Sequence, residues 1–482
     1  MPLRPSSFRS RVTRAALRAR RTSPPAGSEV GLQDDTVEVT PLGMFDSPAV
    51  SRAAVLGLPP VMGGSAELGS AQAGSVRLAS MGRGGGWSIE RVLVERAVEP
   101  LFQPIVELGR LRPVGLEALA RGPAGSPLWR ARDLFAAAVA AGRLAELDAL
   151  CAERALETAR AAGPPPPLLF VNAEPAVVDR AMSARLLELM SGDPPFRIVL
   201  EYTERALSAR PAALLQLAAA VQAHGHGLAL DDVGADPMSL AFLPLLEPEV
   251  VKLDLSLLRA PHAPRTVEVV SAVSAVAERT GAMIVAEGIE TPDDLANARA
   301  LGAHWGQGLL FGGPAPIAEC GSSSFGDAAA LLRASRPGLH LPPGTAFEAA
   351  AARGKARAAT PEAFCAHLEH VLRRAGAEAV VLASCTDAAT ARSWLPSLTG
   401  LAELAAFVGL VAPLHPASVS PGVRFALGPG AEVEECAAVV VAPRYRAAVC
   451  GRGSHSDMEF AYTQDPSLVA EMARIILQKL PR

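Results

Sequence analysis

The chain has 482 residues, 50% of them hydrophobic and 20% charged, with 45 Lys and Arg against 49 Asp and Glu. At about 150 residues per domain this is room for two to four domains with cores of their own. A net charge of −4 excludes the broadly basic surface that binding of a nucleic-acid polymer needs, and no run of about 18 apolar residues marks a membrane-spanning helix.

Residues 1–86 read as a disordered tail. Seven arginines fall between Arg4 and Arg21, no acidic residue precedes Glu29, and the rest is rich in Gly, Ser, Pro and Ala without periodicity. Such a start has the composition of a transit peptide or a polybasic arm; the plainer reading is a solvated tail, or a true start at Met44, Met62 or Met81.

From residue 87 to 320, short apolar runs alternate with longer helical stretches. Strands are expected at Pro113 to Leu119, Leu168 to Asn172, Arg197 to Tyr202, Leu228 to Asp232, Val250 to Asp254 and Met283 to Glu287. Between them lie amphipathic segments at Arg130 to Ala162, Pro211 to His224, Thr266 to Thr280 and Pro292 to Leu301. Strands joined by helices pair in parallel, and this length fits a (β/α)8 TIM-like barrel better than an open sheet. A Ser/Gly/Pro-bearing linker is expected over 321–345. Residues 346–482 then read as a smaller α/β domain ending in a helix from Pro466 to Leu480, with Leu468, Met472, Ile475 and Ile476 on one face. The six cysteines are dispersed without a CxxC pair, so neither a disulfide scaffold nor a thiolate zinc site is signalled, and a cytoplasmic location is expected.

What ends each apolar run carries the chemistry. Glu117, Asn172, Glu201, Asp231 with Asp232, Asp254 and Glu287 each close one. A single acidic residue there reads as a helix cap, but six in succession do not. In a parallel barrel all six ends share one face, where converging carboxylates repel unless a cation neutralises them. Oxygen ligands select hard divalent ions, Mg²⁺ or Mn²⁺. The adjacent Asp231 and Asp232, one facing each way, suit two ions a few ångströms apart, an arrangement used in phosphoester cleavage. Lys252 interrupts an apolar run, which argues against a solvated position; Arg121 and Gln307 are expected on the same face.

In order and spacing, Phe102-Gln103-Pro104-Ile105-Val106, Glu117-Ala118-Leu119-Ala120-Arg121, Val171-Asn172, Leu200-Glu201-Tyr202-Thr203-Glu204, Leu230-Asp231-Asp232-Val233-Gly234, Val251-Lys252-Leu253-Asp254, Ala286-Glu287-Gly288-Ile289-Glu290-Thr291 and Gln307-Gly308-Leu309-Leu310-Phe311 resemble the EAL domain, a family of cyclic-di-GMP phosphodiesterases on a modified (β/α)8 barrel. The resemblance implies metal-dependent hydrolysis of cyclic-di-GMP to linear pGpG. It implies Glu117, Asn172, Glu201 and Asp231 as ligands of one ion, with Asp232 sharing in a second. It further implies Lys252 positioning the water, Glu287 as general base or organiser of the second ion, and Gln307 completing the shell. Gln103 and Arg121 would contact the dinucleotide, and Glu204 would brace the loop after Asp232. That loop departs from the family, with Val233-Gly234-Ala235-Asp236-Pro237-Met238-Ser239 in place of Phe-Gly-Thr-Gly-Tyr-Ser-Ser. The family loop is associated with dimerisation through the barrel and with the second metal site, so the alternative is a non-catalytic cyclic-di-GMP receptor or scaffold.

The C-terminal region, with its ending Glu459-Phe460-Ala461-Tyr462-Thr463-Gln464-Asp465-Pro466, resembles the DICT domain, a sensory module for an unknown ligand or protein. His367 and His370 share a helical face but read as surface histidines, as do His224 and His226.

Overall fold

The computed structural model describes residues 86–174, 182–203, 210–234, 239–320, 325, 329–428, 435–453 and 458–481. The proposed N-terminal tail therefore lies almost wholly outside the described residues, as do Glu204 and residues 235–238.

A short helix α1 (Ile89–Val94), capped by Ser88, leads into the barrel. Eight strands close it in sequence order: β1 (Leu101–Glu107), β2 (Arg112–Leu119), β3 (Leu168–Asn172), β4 (Arg197–Thr203), β5 (Gly227–Val233), β6 (Val250–Leu253), β7 (Met283–Ala286) and β8 (Trp305–Gln307). From β2 to β8 the neighbours are parallel. Strands β3 to β7 are apolar runs with almost every residue buried, as strands covered on both faces require.

Strand β1 differs, running antiparallel to both β2 and β8. Neither β1 nor β8 is among the six strands expected from the sequence. β1 carries Pro104 and Gln103 in its middle, and β8 is only three residues long, so neither shows a strand pattern.

The helical connections follow their local signals. The segment from Arg130 to Ala162 is two helices, α2 (Ala131–Ala140) and α3 (Leu144–Ala161), parted at Gly142, whose φ of +67° ends the first. The next helices are α4 (Ala184–Ser191), α5 (Pro211–Ala223), α6 (Ser239–Leu246), α7 (Leu255–Arg259), α8 (Pro264–Thr280) and α9 (Pro292–Ala300). Asp254 caps α7, accepting from Ser256 N at 2.9 Å, so of the six strand-end residues this one plays the ordinary capping role. Thr291 and Asp294 form a reciprocal capping box at α9, with Pro292 at its first position.

The expected linker packs against the barrel. Leu332 is buried among Leu168, Phe170, Val250 and Trp305 in the barrel interior, and Arg333 Nε lies 3.3 Å from Glu249 Oε1.

Residues 346–481 build a second α/β unit. A mixed seven-stranded sheet has the order β12-β11-β10-β13-β14-β15-β9. Its strands are β9 (Arg357–Ala358), β10 (Val380–Cys385), β11 (Phe407–Ala412), β12 (Arg424–Leu427), β13 (Glu435–Val441), β14 (Arg446–Arg452) and β15 (Glu459–Thr463), with helices α10 (Ala346–Ala352), α11 (Pro361–Leu372), α12 (Ala388–Ala402) and α13 (Pro466–Leu477). Helix α13 buries more than the expected stripe, including Val469, Ala473, Leu477 and Arg474.

One side of α13 covers the sheet and the other covers α6. Helix α6 is apolar all round, Leu240, Ala241, Phe242, Leu243, Leu245 and Leu246 being at most 3% exposed, and such a helix needs cover on every face. Arg474 donates from Nε to Leu245 O (2.8 Å) and from Nη2 to Pro244 O (3.3 Å), and pairs with Glu247 at 3.4 Å. Phe242 meets Phe407 edge-on at 5.5 Å.

The structure pairs Cys385 with Cys436 in a disulfide, against the expectation of none, while Cys151, Cys320, Cys365 and Cys450 are free. The two are 51 residues apart, and only the β10–β13 register brings them together.

Candidate active site

Lys252, on β6, is the centre of the site. It is 1% exposed, and its Nζ lies 2.6 Å from Glu287 Oε1, 2.9 Å from Glu201 Oε1, 3.1 Å from Asp231 Oδ1 and 3.3 Å from Glu117 Oε2. Those carboxylates come from β4, β5, β2 and the residue after β7, so the convergence expected from the strand ends is present. Burial works against the ammonium charge, yet Asp231, Glu117, Glu201 and Glu287 together hold it well above its ordinary value.

One cation does not satisfy four carboxylates equally. Glu117 is buried, but Lys252, Gln307 and Asn172 keep its carboxyl below the usual range. Asn172 Nδ2 donates to Glu117 Oε1 at 2.7 Å and Gln307 Nε2 to Glu117 Oε2 at 2.7 Å. Burial, reinforced by Glu117, raises Glu201 well above its ordinary value; burial with Asp231 does the same to Glu287. Asp232 is pushed up to about 7 by burial and by Asp231 beside it. Protons or cations are thus drawn to this face.

The local backbone explains how adjacent aspartates share one site. Successive strand residues normally face opposite ways, but the β5–β6 register shifts between Leu230 and Val233, and Asp232 has φ +57°. Ligand oxygens of Asp231, Asp232 and Glu287 all lie within 4.8 Å of one another. Gly288, at φ +67°, turns the chain directly after Glu287, and a Cβ there would stand 2.6 Å from Leu255 Cδ1.

The residues fit divalent cations. Glu201 Oε2 and Asp232 Oδ1 are buried with no hydrogen-bond donor directed at them, and an all-oxygen set suits a hard ion. Among the described residues, Asp231, Asp232 and Glu287 are the group of acidic, His or Cys side chains spaced to hold an ion.

The expected substrate contacts divide. Gln103 and Gln307 join the cluster, with Gln307 Nε2 donating to Gln103 Oε1 (3.2 Å) and Gln103 Nε2 to Gly312 O (3.1 Å). Arg121 lies just past β2, its Nη1 donating to Ala120 O at 2.8 Å. Glu204 lies outside the described residues. Gly288 and the β5 irregularity were missed from the sequence; a glycine directly after a strand-end acid is the signal for the first.

The histidines take structural places. His226 is buried rather than on the surface, with Nε2 2.9 Å from Met190 O. His367 packs at 5.1 Å on both Phe460 and Tyr462. No helix among the described residues is long and apolar enough to cross a membrane.

Comparison with known proteins places the barrel. The family model described as EAL domain matches residues 88–314. Cyclic di-GMP phosphodiesterase RocR of Pseudomonas aeruginosa is 33% identical over 152 residues, covering 31% of this chain and 39% of that protein. Probable cyclic di-GMP phosphodiesterase PdeB of Escherichia coli is 30% identical over 220 residues, covering 44% and 41%. The chain thus spans less than half the length of either relative. Among solved structures, Klebsiella pneumoniae BlrP1 in its manganese/cy-diGMP complex aligns over 45% of this chain and 56% of that one, at 27% identity and a TM-score of 0.41. Residues 88–314, whose strand ends carry this Lys252-centred cluster, are an EAL domain.

Proposed function

We propose that this chain hydrolyses one phosphodiester bond of cyclic-di-GMP to give linear pGpG. The observation that carries the reading is the single buried Lys252 among Glu117, Glu201, Asp231 and Glu287, beside the Asp231–Asp232–Glu287 group.

In this reading Glu117, Asn172, Glu201 and Asp231 would hold one Mg²⁺ or Mn²⁺, and Asp231, Asp232 and Glu287 a second. Such ions supply charge neutralisation at the phosphate and a more acidic water. Lys252 keeps the carboxylates in register and orients the attacking water through Nζ. Glu287, whose raised proton affinity suits a base, receives the water proton at a carboxylate oxygen. Water adds to phosphorus and one P–O bond breaks, leaving a 5′-phosphate and a free 3′-hydroxyl. Gln103 and Gln307 orient the substrate at the rim, Arg121 grips a phosphate or guanine edge, and Glu204 braces the loop after Asp232. The second domain acts as the sensor for this reaction, and pairing of two barrels through the loop after Asp232 would make a homodimer.

The test is incubation of the full chain with cyclic-di-GMP and Mg²⁺ or Mn²⁺ beside Glu117→Ala. Linear product from the wild type and none from the variant is expected. Tight binding without product would replace the enzyme reading with a non-catalytic receptor.

A further inference from the structure

Cys385 and Cys436 face each other as the last pair of the antiparallel β10–β13 ladder, with Cα atoms 4.2 Å apart. That separation is just under the roughly 4.4–6.8 Å usual for a disulfide, so the register already holds the two residues at bonding reach. One residue further, Thr386 N donates to Glu435 O (2.9 Å) and Glu435 N donates to Thr386 Oγ1 (2.8 Å). Hydrogen bonds that do not involve sulfur therefore keep the strand ends together, and the two sulfurs stay opposed whether or not they are bonded.

The surroundings argue against a fixed structural staple. The sheet has its own apolar core of Val381, Leu398, Leu410, Val440 and Val449, and a domain of this size folds without a cross-link. Cys365 is exposed and free, whereas disulfide-built proteins of oxidising compartments pair their accessible thiols. Residue exposure is graded, Cys436 being partly exposed and Cys385 3% exposed, which makes Cys436 the more accessible partner and Cys385 the resolving one.

We propose that Cys385 and Cys436 are a reversible dithiol–disulfide pair, a redox-modification site on the second domain whose reagents are low-molecular-weight thiols and disulfides of the glutathione class. The Cys436 thiolate attacks one sulfur of the oxidised small disulfide, forming a mixed disulfide and releasing one small thiol. The Cys385 thiolate then attacks Cys436 Sγ and releases the second. Two protein thiols are oxidised, one small disulfide is reduced to two thiols, and the two protein protons end on them. Glu435, next to Cys436, also accepts through Oε1 from Phe347 N at the start of α10 (3.2 Å), so the bond forms beside a helix that packs on α13. This inference is independent of the hydrolase reading.

The experiment equilibrates the full chain across a series of reduced-to-oxidised glutathione buffers, blocks free thiols with N-ethylmaleimide and maps them by peptide mass spectrometry. The Cys385–Cys436 cross-link is expected to pass from nearly absent to nearly complete across the series, with Cys365→Ser tracing the same curve. Cys385→Ser is expected to lose the cross-link and the higher melting temperature of the oxidised wild type; if that variant does not fold, the wild-type titration decides alone. Labelling of both cysteines in every buffer, or a cross-link that persists in every buffer, would overturn the proposal.

Discussion

Lys252 Nζ, on β6, and Glu287 Oε1, directly after β7, stand 2.6 Å apart, the shortest of four ion pairs made by one buried ammonium. Removing that ammonium leaves the buried acids facing one another without a counter-charge. Lys252→Met is expected to abolish cyclic-di-GMP hydrolysis and, without divalent metal, to destabilise the fold by about 3–5 kcal/mol, the usual cost of breaking a buried pair. Added Mn²⁺ should recover part of the melting temperature but none of the turnover. Unchanged activity would remove Lys252 from the mechanism.

Asp232, at about 7 without metal, makes metal binding depend on pH. Below pH 7 its carboxyl carries a proton that an incoming ion must displace, so the apparent affinity for Mn²⁺ should rise as pH increases toward 7. Without metal the sign for stability is opposite. The folded state holds this proton more tightly than the unfolded chain, so Asp232 makes the protein less stable as pH rises from about 4 to about 7. Calorimetry in buffers of different ionisation heat should show proton release on Mn²⁺ binding at pH 6.5, reduced in Asp232→Asn.

Gly288→Ala places a methyl group 2.6 Å from Leu255 Cδ1 at a residue with φ +67°. A loss of about 1–3 kcal/mol in stability is expected, with a lower kcat because the turn sets the position of Glu287. Urea denaturation and steady-state kinetics check the two effects separately.

Arg474 and Glu247 join the two domains. Although burial opposes its charge, Glu247 is held down to about 2 by Arg474, Arg279 and Arg336. Its contribution to stability is therefore full above about pH 4.5 and is lost as pH falls toward about 2. Arg474→Met should cost about 1–3 kcal/mol by taking the donor from two buried carbonyls while Glu247 keeps Arg279 and Arg336, read as a fall in the urea midpoint. Deleting residues 346–482 would uncover helix α6 and is expected to give aggregated protein.

A chain starting near Ser88 is expected to keep the fold and the hydrolase activity. Loss of solubility on that truncation would show the first 86 residues to be structural.

The site was legible where an apolar run met a charge. Glu117, Asn172, Glu201, Asp231 and Glu287 each lie within two residues of the end of a buried strand, and Lys252 interrupts one; all six converge. Arg474 interrupts an apolar run in α13 in the same way, and that signal also marks a buried ion pair. Other features depend on pairing and leave no local trace. The reversed β1 contains a proline, the Asp231–Asp232 convergence needs a register shift, and the Cys385–Cys436 contact spans 51 residues. Asp254 shows the limit of reading by type alone, since a cap and a ligand look identical in sequence.

The direction of β1 governs how neighbouring segments reach the chemistry. Because β1 runs against the other strands, its first residues lie at the rim where Glu117 and Gln307 meet Gln103, so chain arriving through α1 enters beside the mouth of the barrel. Chain leaving it passes Leu332 and Arg333 at the roots of the strands, and the second domain attaches there through Glu247. The first described residues thus meet the barrel beside the carboxylate cluster, and the residues after Arg333 meet it at the opposite end of the strands.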